Sequence, residues 1–382
     1  MAAEQNHRHP SLRGRMPEVP LFLVYSLEVI GGIALLFLGG DQFVKGSVTI
    51  ATICGIPQLV IGLTVVAFGT SAPELFVSVS SILQNSDELA VSNVVGSNIF
   101  NILVVLGCSA LILPLRVENR LVRRDVPVLL AISAAAWGMA SAGRMTWQAG
   151  AALLIGLAIN TVWEIRTSQE EIHSAEETAG ERTKPPTNPR AMLISSIQLL
   201  IGITLLVFGS RVLVNGASSA AAFLNVPEAV IGLTIVATGT STPELITSVV
   251  ATMKGRTDLA VGNVVGSCLL NLLMVLGGCA VISGPAGLQV TGELISRDLP
   301  VMMFATVVCL PIFWTRRSIS RFEGVVLLAA YGFYLTDNVL PRTALASWQD
   351  EVRLVGLCVV MPILLTVIVI QVLGYWRSQA QS

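Results

Sequence analysis

The sequence predicts an all-α polytopic membrane protein: two inverted five-helix repeats with discontinuous helices, plus one additional C-terminal helix, about 11 transmembrane helices in all. Three observations lead there. Of 382 residues, 53% are hydrophobic and 12% charged, with a mean hydropathy of +0.75; an ordinary soluble domain carries about twice that charged fraction. Apolar stretches of about twenty residues recur, each long enough to cross a hydrocarbon core of about 30 Å. A shift of 170 positions (244 − 74 = 170) lays Pro57–Gly107 on Pro227–Gly277 without a gap, with 29 identities in 51 positions.

The elements follow in chain order. The N-terminal tail, 1–19, is polar and has no small-residue cleavage site after its apolar run, so the first helix reads as a retained anchor. The first repeat occupies 20–165, with helices expected near 20–40, 57–84, 89–113, 126–142 and 146–165. A polar, Pro-bearing linker, 166–190, joins it to the second repeat, 191–339. There the expected helices lie near 191–215, 227–253, 258–282, 299–315 and 322–339, and an additional transmembrane helix spans 353–375. Five helices per repeat is an odd number, so the second copy must sit upside down relative to the first. That is the inverted-repeat plan of secondary transporters.

Lys and Arg set the expected orientation. With the N-terminus outside, Arg116, Arg120, Arg123, Arg124, Arg166, Arg182, Lys184 and Arg190 fall on the cytoplasmic side, and the linker with them. The localisation this implies is an integral, multi-pass protein of the cell membrane, or of the inner membrane in a bacterium. The formal net charge of −1 points to no nucleic-acid partner. The six cysteines show no metal-ligand spacing and read as small buried hydrophobes. His7, His9 and His173 lie in polar segments, which leaves no histidine for a membrane catalytic centre and argues against an enzyme.

Each repeat carries two elements that chemistry can use. The first is GLTVVAFGTSAPELFVS (62–78), echoed as GLTIVATGTSTPELITS (232–248). Pro73 has no N–H to donate and its ring clashes with the carbonyl at Gly69, so the helix should break and free the carbonyls around Ala67–Thr70. In lipid such carbonyls need a cavity or a cation. Thr70 and Ser71 precede Glu74 by four and three residues and share its helical face, giving an all-oxygen set suited to hard cations. Ala237, Thr240, Ser241, Pro243 and Glu244 repeat the pattern. Ser71-x-x-Glu74 and Ser241-x-x-Glu244 also match a helix capping box, a geometry that can coexist with a cation site.

The second element is NVVGSNIFNILVVLG (93–107), echoed as NVVGSCLLNLLMVLG (263–277). Ser97 and Asn101, like Ser267 and Asn271, stand four residues apart and make one polar stripe. Interhelical hydrogen bonding is the plain reading of that stripe, and cation ligation the reading favoured beside the Pro-Glu element.

These paired G-T-S-x-P-E and G-S-x-x-x-N elements, in inverted five-helix halves, resemble the sodium/calcium exchanger family of the cation/calcium antiporter superfamily, in its prokaryotic-type form without a large regulatory loop. The resemblance implies cation ligands at Ala67 (carbonyl), Thr70, Ser71, Glu74, Ser97 and Asn101, and at Ala237 (carbonyl), Thr240, Ser241, Glu244, Ser267 and Asn271. It implies a secondary active antiporter exchanging Ca²⁺ for Na⁺ by alternating access at a central site, with the first and sixth helices sliding and no cofactor. Many sodium/calcium exchangers carry Asp where this chain has Asn271, and Cys268 replaces the Asn that would mirror Asn98. Glu74 and Glu244 then give a site charge near −2, matching one Ca²⁺, two Na⁺ or two protons. Proton coupling, as in calcium/proton antiporters, stands as the alternative, and a cation channel as a more distant one. Oligomeric state is left open by the sequence.

Smaller features complete the reading. Asp125 and Asp298, each followed by Pro two residues on, are expected to cap the fourth and ninth helices. Glu28 is expected at the interface, Gly39 and Gly209 in the gating helices, and the acidic run 170–181 in a solvated linker.

Overall fold

The computed structural model describes residues 18–179, 189–343 and 346–356, together with 358, 362 and 366. Most of the N-terminal tail, the later part of the linker and most of the expected C-terminal helix lie outside the described residues.

Helix α1 (Glu18–Cys54) opens the chain. Helix α2 is broken into Gln58–Thr70 and Ala72–Leu83, whose axes differ by 41°. Helix α3 is Asp87–Ile112, α4 is Val126–Ala140 and α5 is Trp147–Ala179. The second half repeats the order. It contains α6 (Pro189–Phe223) and α7, with a first arm ending in Ala237–Gly239 and a second arm of Thr242–Met253. It continues with α8 (Thr257–Ile282), α9 (Leu299–Arg316) and α10 (Arg321–Val339), and α11 (Gln349–Val355) begins the C-terminal segment. Six of these helices are long and apolar enough to cross a membrane, and the bent α2 pair makes a seventh span. Helix α5 runs past the polar boundary expected at 165 and carries much of the linker as helix.

Position in the bundle follows from which side chains each helix hides. In α3 and α8, 78% and 72% of the apolar window is buried, against 17% in α1, α5 and α6. Helices α3 and α8 therefore form the centre, packed by the two broken helices, and α1 and α6 lie at the edge. Leu27, Ile30 and Leu38 of α1 and Leu193, Leu200 and Phe208 of α6 are exposed, as a lipid-facing surface requires.

Helices α1 and α6 pack on each other along most of their length. Gly32, Gly39 and Gly46 recur every seven residues in α1, and Gly202, Gly209 and Gly216 do so in α6. A Cβ on Gly32 would stand 2.6 Å from the Leu213 nitrogen, and one on Gly202 would stand 2.6 Å from the Phe43 nitrogen. The backbones thus approach closer than any side chain allows, through two matched glycine stripes.

Two kinds of feature have no counterpart in the sequence reading. Short π-helical turns interrupt both halves at matching places: Gly62–Val66 with Gly232–Val236, and Asn101–Val105 with Asn271–Leu276. Two-residue ladders clip the halves together, Leu115–Arg116 on Ser318–Ile319 and Arg144–Met145 on Leu288–Gln289. Leu115, Ile319, Met145 and Leu288 are wholly buried there, so each clip anchors a loop to the core.

Candidate cation site

Helix α2 continues as helix to Thr70 and bends at Ser71 (φ −83°, ψ 2°), just ahead of Pro73. Helix α7 bends at the equivalent Ser241 (φ −89°, ψ 6°). The freed carbonyl expected at Ala67 is not found, because the Ser71 N–H donates to the Ala67 oxygen at 2.9 Å before the chain turns. The proline's effect falls one turn before it, on the carbonyls of Gly69 and Gly239, which Pro73 and Pro243 give no N–H. The Gly239 oxygen accepts instead from the Ser210 hydroxyl of α6. Gly40 holds the repeat-related position in α1 (210 − 170 = 40), so the first half has no such contact.

The capping boxes are also absent. Ser71 and Ser241 hold the N-cap positions, yet neither side chain bonds its own helix start. Each reaches across to the other repeat. Ser241 Oγ donates to Glu74 Oε1 at 3.0 Å, and Ser71 Oγ donates to Glu244 Oε1 at 3.3 Å. Thr70 Oγ1 stands 3.2 Å from Asn263 Oδ1, and Thr240 Oγ1 stands 3.1 Å from Asn93 Oδ1. Ser97 Oγ lies 2.9 Å from Ser241 Oγ, and Ser267 Oγ lies 3.4 Å from Thr70 Oγ1. The two sequence elements of each repeat therefore meet, and they meet reciprocally between repeats, as in a two-fold arrangement.

Asn93 and Asn263 brace this cluster and were not singled out in the sequence reading. Asn93 Nδ2 donates to the Glu74 carbonyl at 3.3 Å and to Ser78 Oγ at 2.9 Å. Asn263 Nδ2 does the same to the Glu244 carbonyl at 3.4 Å and Ser248 Oγ at 2.9 Å. Their signal was the leading Asn of the repeated N-V-V-G-S. A spacing argument passes over it, because its role is contact between helices rather than within one.

Asn101 and Asn271 open the π turns, and both are wholly buried. Asn271 Nδ2 donates to Asn98 Oδ1 at 3.1 Å, and Asn98 Nδ2 donates to the Cys268 carbonyl at 3.2 Å. Cys268 can offer no such amide in return, and only its thiol reaches back, donating to the Asn98 carbonyl at 4.0 Å.

Glu74 and Glu244 are wholly buried, and no ion pair among the described residues reaches either carboxylate. They lie within electrostatic reach of each other. Glu74 Oε2, Glu244 Oε2, Asn271 Oδ1 and both amide atoms of Asn101 are buried without a hydrogen-bond partner. Two carboxylates at membrane depth with unfilled acceptor positions cost several kcal/mol unless a proton or cation joins them. Hydroxyl, amide and carboxylate oxygens form a donor set that suits Na⁺ or Ca²⁺.

The surroundings are not symmetric. Ala67 and Thr70 are buried, whereas Ala237 is exposed and Thr240 half-buried. A cavity of about 150 Å³ touches Gly96, Ala237 and Thr238 and carries Glu293, Arg297 and Tyr334 on its wall. A second, of about 160 Å³, touches Val77, Ser210, Gly239 and Thr240. Both flank the α7 side of the cluster, and a larger cavity of about 370 Å³ touches Leu63, Phe68, Gly69 and Gly266 at the repeat-related place beside α2.

Other expectations resolve differently. Asp125 and Asp298 do not cap helices, since each closes a π turn with helical backbone angles. Asp298 takes Arg297 Nε at 2.9 Å and the Tyr334 hydroxyl at 3.1 Å. Glu164 of α5 binds Arg120, and also Arg124 at 2.7 Å, and Arg124 stacks 4.3 Å over the Trp163 ring. Cys268, Cys279 and Cys309 are buried as expected, but Cys54 and Cys358 are exposed. Glu28 packs at Gly216, on the α1–α6 contact.

Comparison with known proteins gives a consistent result. The family model described as sodium/calcium exchanger protein matches residues 25–166 and 194–339. A protein of Alkalimonas amylolytica named as an antiporter, CaxA, is 36% identical over 81% of this chain and 97% of its own length. The sodium/calcium exchanger MaX1 of Methanosarcina acetivorans is 30% identical, covering 82% and 98%. The solved structure of the sodium-calcium exchanger NCX_Mj soaked with Na⁺ and Sr²⁺ superposes with a TM-score of 0.71 at 28% identity, covering 82% of this chain and 98% of that one.

Proposed function

We propose, from the premise that this chain belongs to the sodium/calcium exchanger family, that Glu74 and Glu244 together form the shared site at which Ca²⁺ and Na⁺ compete. Membership makes the protein a membrane cation/calcium exchanger rather than an enzyme, with Ca²⁺ and Na⁺ as transported substrates and no cofactor. The assignment of the site to these residues is our own reading. One observation carries it: two wholly buried carboxylates, without a cationic partner among the described residues, are each held by a serine of the opposite repeat.

The coupling follows from charge. Two ionised glutamates supply −2, balanced by one Ca²⁺ or by two Na⁺. A cation of the wrong charge leaves a carboxylate uncompensated at depth, which costs a few kcal/mol or more. Exchange at one site therefore proceeds by replacement. Asn101 and Asn271 contribute neutral oxygens, so a third Na⁺ would add charge that no carboxylate offsets. We infer an exchange of two Na⁺ for one Ca²⁺.

Access to each side in turn requires the site to open at one end while the other is shut. The exposed Ala237 and half-buried Thr240, against the buried Ala67 and Thr70, fit a state open beside α7. The glycine stripes of α1 and α6 support movement of that pair as a unit, because two smooth surfaces keep their contact as they pass the broken helices. The N-terminus is placed outside and the 166–190 linker in the cytoplasm, on the distribution of Lys and Arg.

The experiment is ⁴⁵Ca²⁺ uptake into proteoliposomes under an imposed Na⁺ gradient or an imposed H⁺ gradient. Na⁺-driven uptake is expected. Uptake driven by the proton gradient alone would assign the carboxylates to Ca²⁺/H⁺ exchange, and uptake with neither gradient would point to a channel.

A further inference from the structure

Every hydroxyl of the first cluster has a repeat-related twin, but the next turn of the broken helices does not keep the symmetry. Thr247 stands in α7 where Val77 stands in α2 (247 − 170 = 77). Thr247 is wholly buried, and its Oγ1 has no hydrogen-bond partner. The other three hydroxyls of the Thr242–Met253 arm are all bonded. Thr242 donates to the Thr238 carbonyl at 3.2 Å, Ser248 to the Ala260 carbonyl at 3.5 Å and Thr252 to the Ser248 carbonyl at 2.8 Å. A helical threonine ordinarily turns its hydroxyl back onto the carbonyl four residues earlier. Thr64, Thr234 and Thr306 of this chain do so. The Thr247 hydroxyl is directed elsewhere, and a buried hydroxyl left unmet keeps its full desolvation cost.

Its surroundings indicate what it meets. The Thr242–Met253 arm packs against α1, α8 and the Asn101–Ile112 stretch of α3, and also against Ala67–Thr70 of α2, where Thr70 approaches Asn263 and Ser267. Val77, its twin, lines the cavity at Gly239 and Thr240, the equivalent place on the other side. Thr247 lies one turn below Glu244, about 4.5 Å along the axis. That offset takes it away from the midpoint between the two glutamates, and the place of Val77 beside Gly239 and Thr240 makes Gly69 and Thr70 the equivalent flank for Thr247.

We propose that the Thr247 hydroxyl is an additional ligand for a monovalent cation held between Glu244 and Thr70, a ligand that the Val77 side lacks. The proposal rests on the glutamate-pair reading above. It makes the two Na⁺ positions unequal, with the tighter one beside Thr247. Ca²⁺, centred between the carboxylates, does not use this oxygen.

The test compares Na⁺ and Ca²⁺ titrations by calorimetry on the purified protein and on Thr247→Val, Thr247→Ser and Glu244→Gln, with thermal melting as the folding control. Thr247→Val is expected to raise the Na⁺ half-saturation about three- to tenfold, the scale of one neutral contact, and to leave Ca²⁺ affinity unchanged. Thr247→Ser, which keeps the hydroxyl, is expected to bind Na⁺ as the unaltered protein does. Should Thr247→Val melt early, Thr247→Ala carries the same comparison. Unchanged Na⁺ binding in the Val variant, with both ions lost in Glu244→Gln, overturns the Thr247 assignment and leaves the site reading standing. Equal weakening of both ions that serine fails to restore overturns it too, as a packing effect. Unchanged binding in Glu244→Gln overturns the site reading itself.

Discussion

Ser241 donates its hydroxyl to Glu74, a residue of the opposite repeat, at 3.0 Å. The reciprocal contact, Ser71 to Glu244, is 3.3 Å. Each carboxylate is thus positioned by the break in the other broken helix. Neither half can complete the cluster alone, and a movement that displaces one bend is felt at the other glutamate. Four consequences can be measured.

Asn93 and Asn263 hold the glutamate carbonyls and reach the threonines of the opposite repeat. Replacing Asn93 by Leu leaves the Thr240 hydroxyl and the Ser78 hydroxyl without this partner. The expected loss of stability is about 1–3 kcal/mol for the buried groups stranded, read as a lower melting temperature in detergent. Asn263→Leu should cost less, because the Thr70 hydroxyl keeps the Val66 and Ala67 carbonyls as partners. Ca²⁺ affinity should fall in both, since Glu74 and Glu244 lose their backbone support.

Glu164 pairs with Arg120 and Arg124, and the side chains of all three are at least nine-tenths buried. Removing one partner of a buried pair costs about 3–5 kcal/mol, because the remaining charge stays desolvated. Glu164→Ala should therefore reduce melting temperature more than any exposed ion-pair change, such as Lys254→Ala at the Asp41 contact. That contact is about one-third exposed and, on the scale of surface pairs, contributes about 0–1 kcal/mol. Equal shifts in the two variants would contradict the ranking.

Gly202 meets the backbone of Phe43 so closely that any side chain forces α1 and α6 apart. Gly202→Val should slow transport strongly while equilibrium Ca²⁺ binding persists, since no proposed ligand lies on either helix. Transport rates in proteoliposomes and binding in detergent separate the two effects. Normal turnover in this variant would remove α1–α6 contact from the mechanism.

The sequence disclosed much of this because its informative residues act locally. Proline and glycine bend a helix from within, and a 170-residue shift exposes the repeat directly. Glu74 and Glu244 were legible as a buried charge in an apolar run. What stayed hidden acts between distant segments or depends on backbone detail. The serine exchange between repeats needs both halves in place, so the sequence shows Ser71 and Ser241 only as cation-site oxygens beside the glutamate of their own repeat, in a spacing that also matches a capping box. Asn93 and Asn263 work across helices, where spacing gives no clue. The π turns have no residue signature, and two of them, Leu121–Asp125 and Leu294–Asp298, carry Asp125 and Asp298 out of the capping positions that their following prolines suggested. The two-residue ladders join loops far apart in sequence, and no alternation two residues long can be distinguished from chance.

The central claim is that Glu74 and Glu244 share one divalent cation in competition with Na⁺. Calorimetric Ca²⁺ titration tests it most directly, on the unaltered protein and on Glu74→Gln and Glu244→Gln, with and without Na⁺. One Ca²⁺ per chain, displaced by Na⁺, is expected for the unaltered protein. Each single variant should bind Ca²⁺ at least about a hundredfold more weakly, the scale of losing one partner of a buried charge pair. Ca²⁺ binding at full affinity in either variant would contradict the claim.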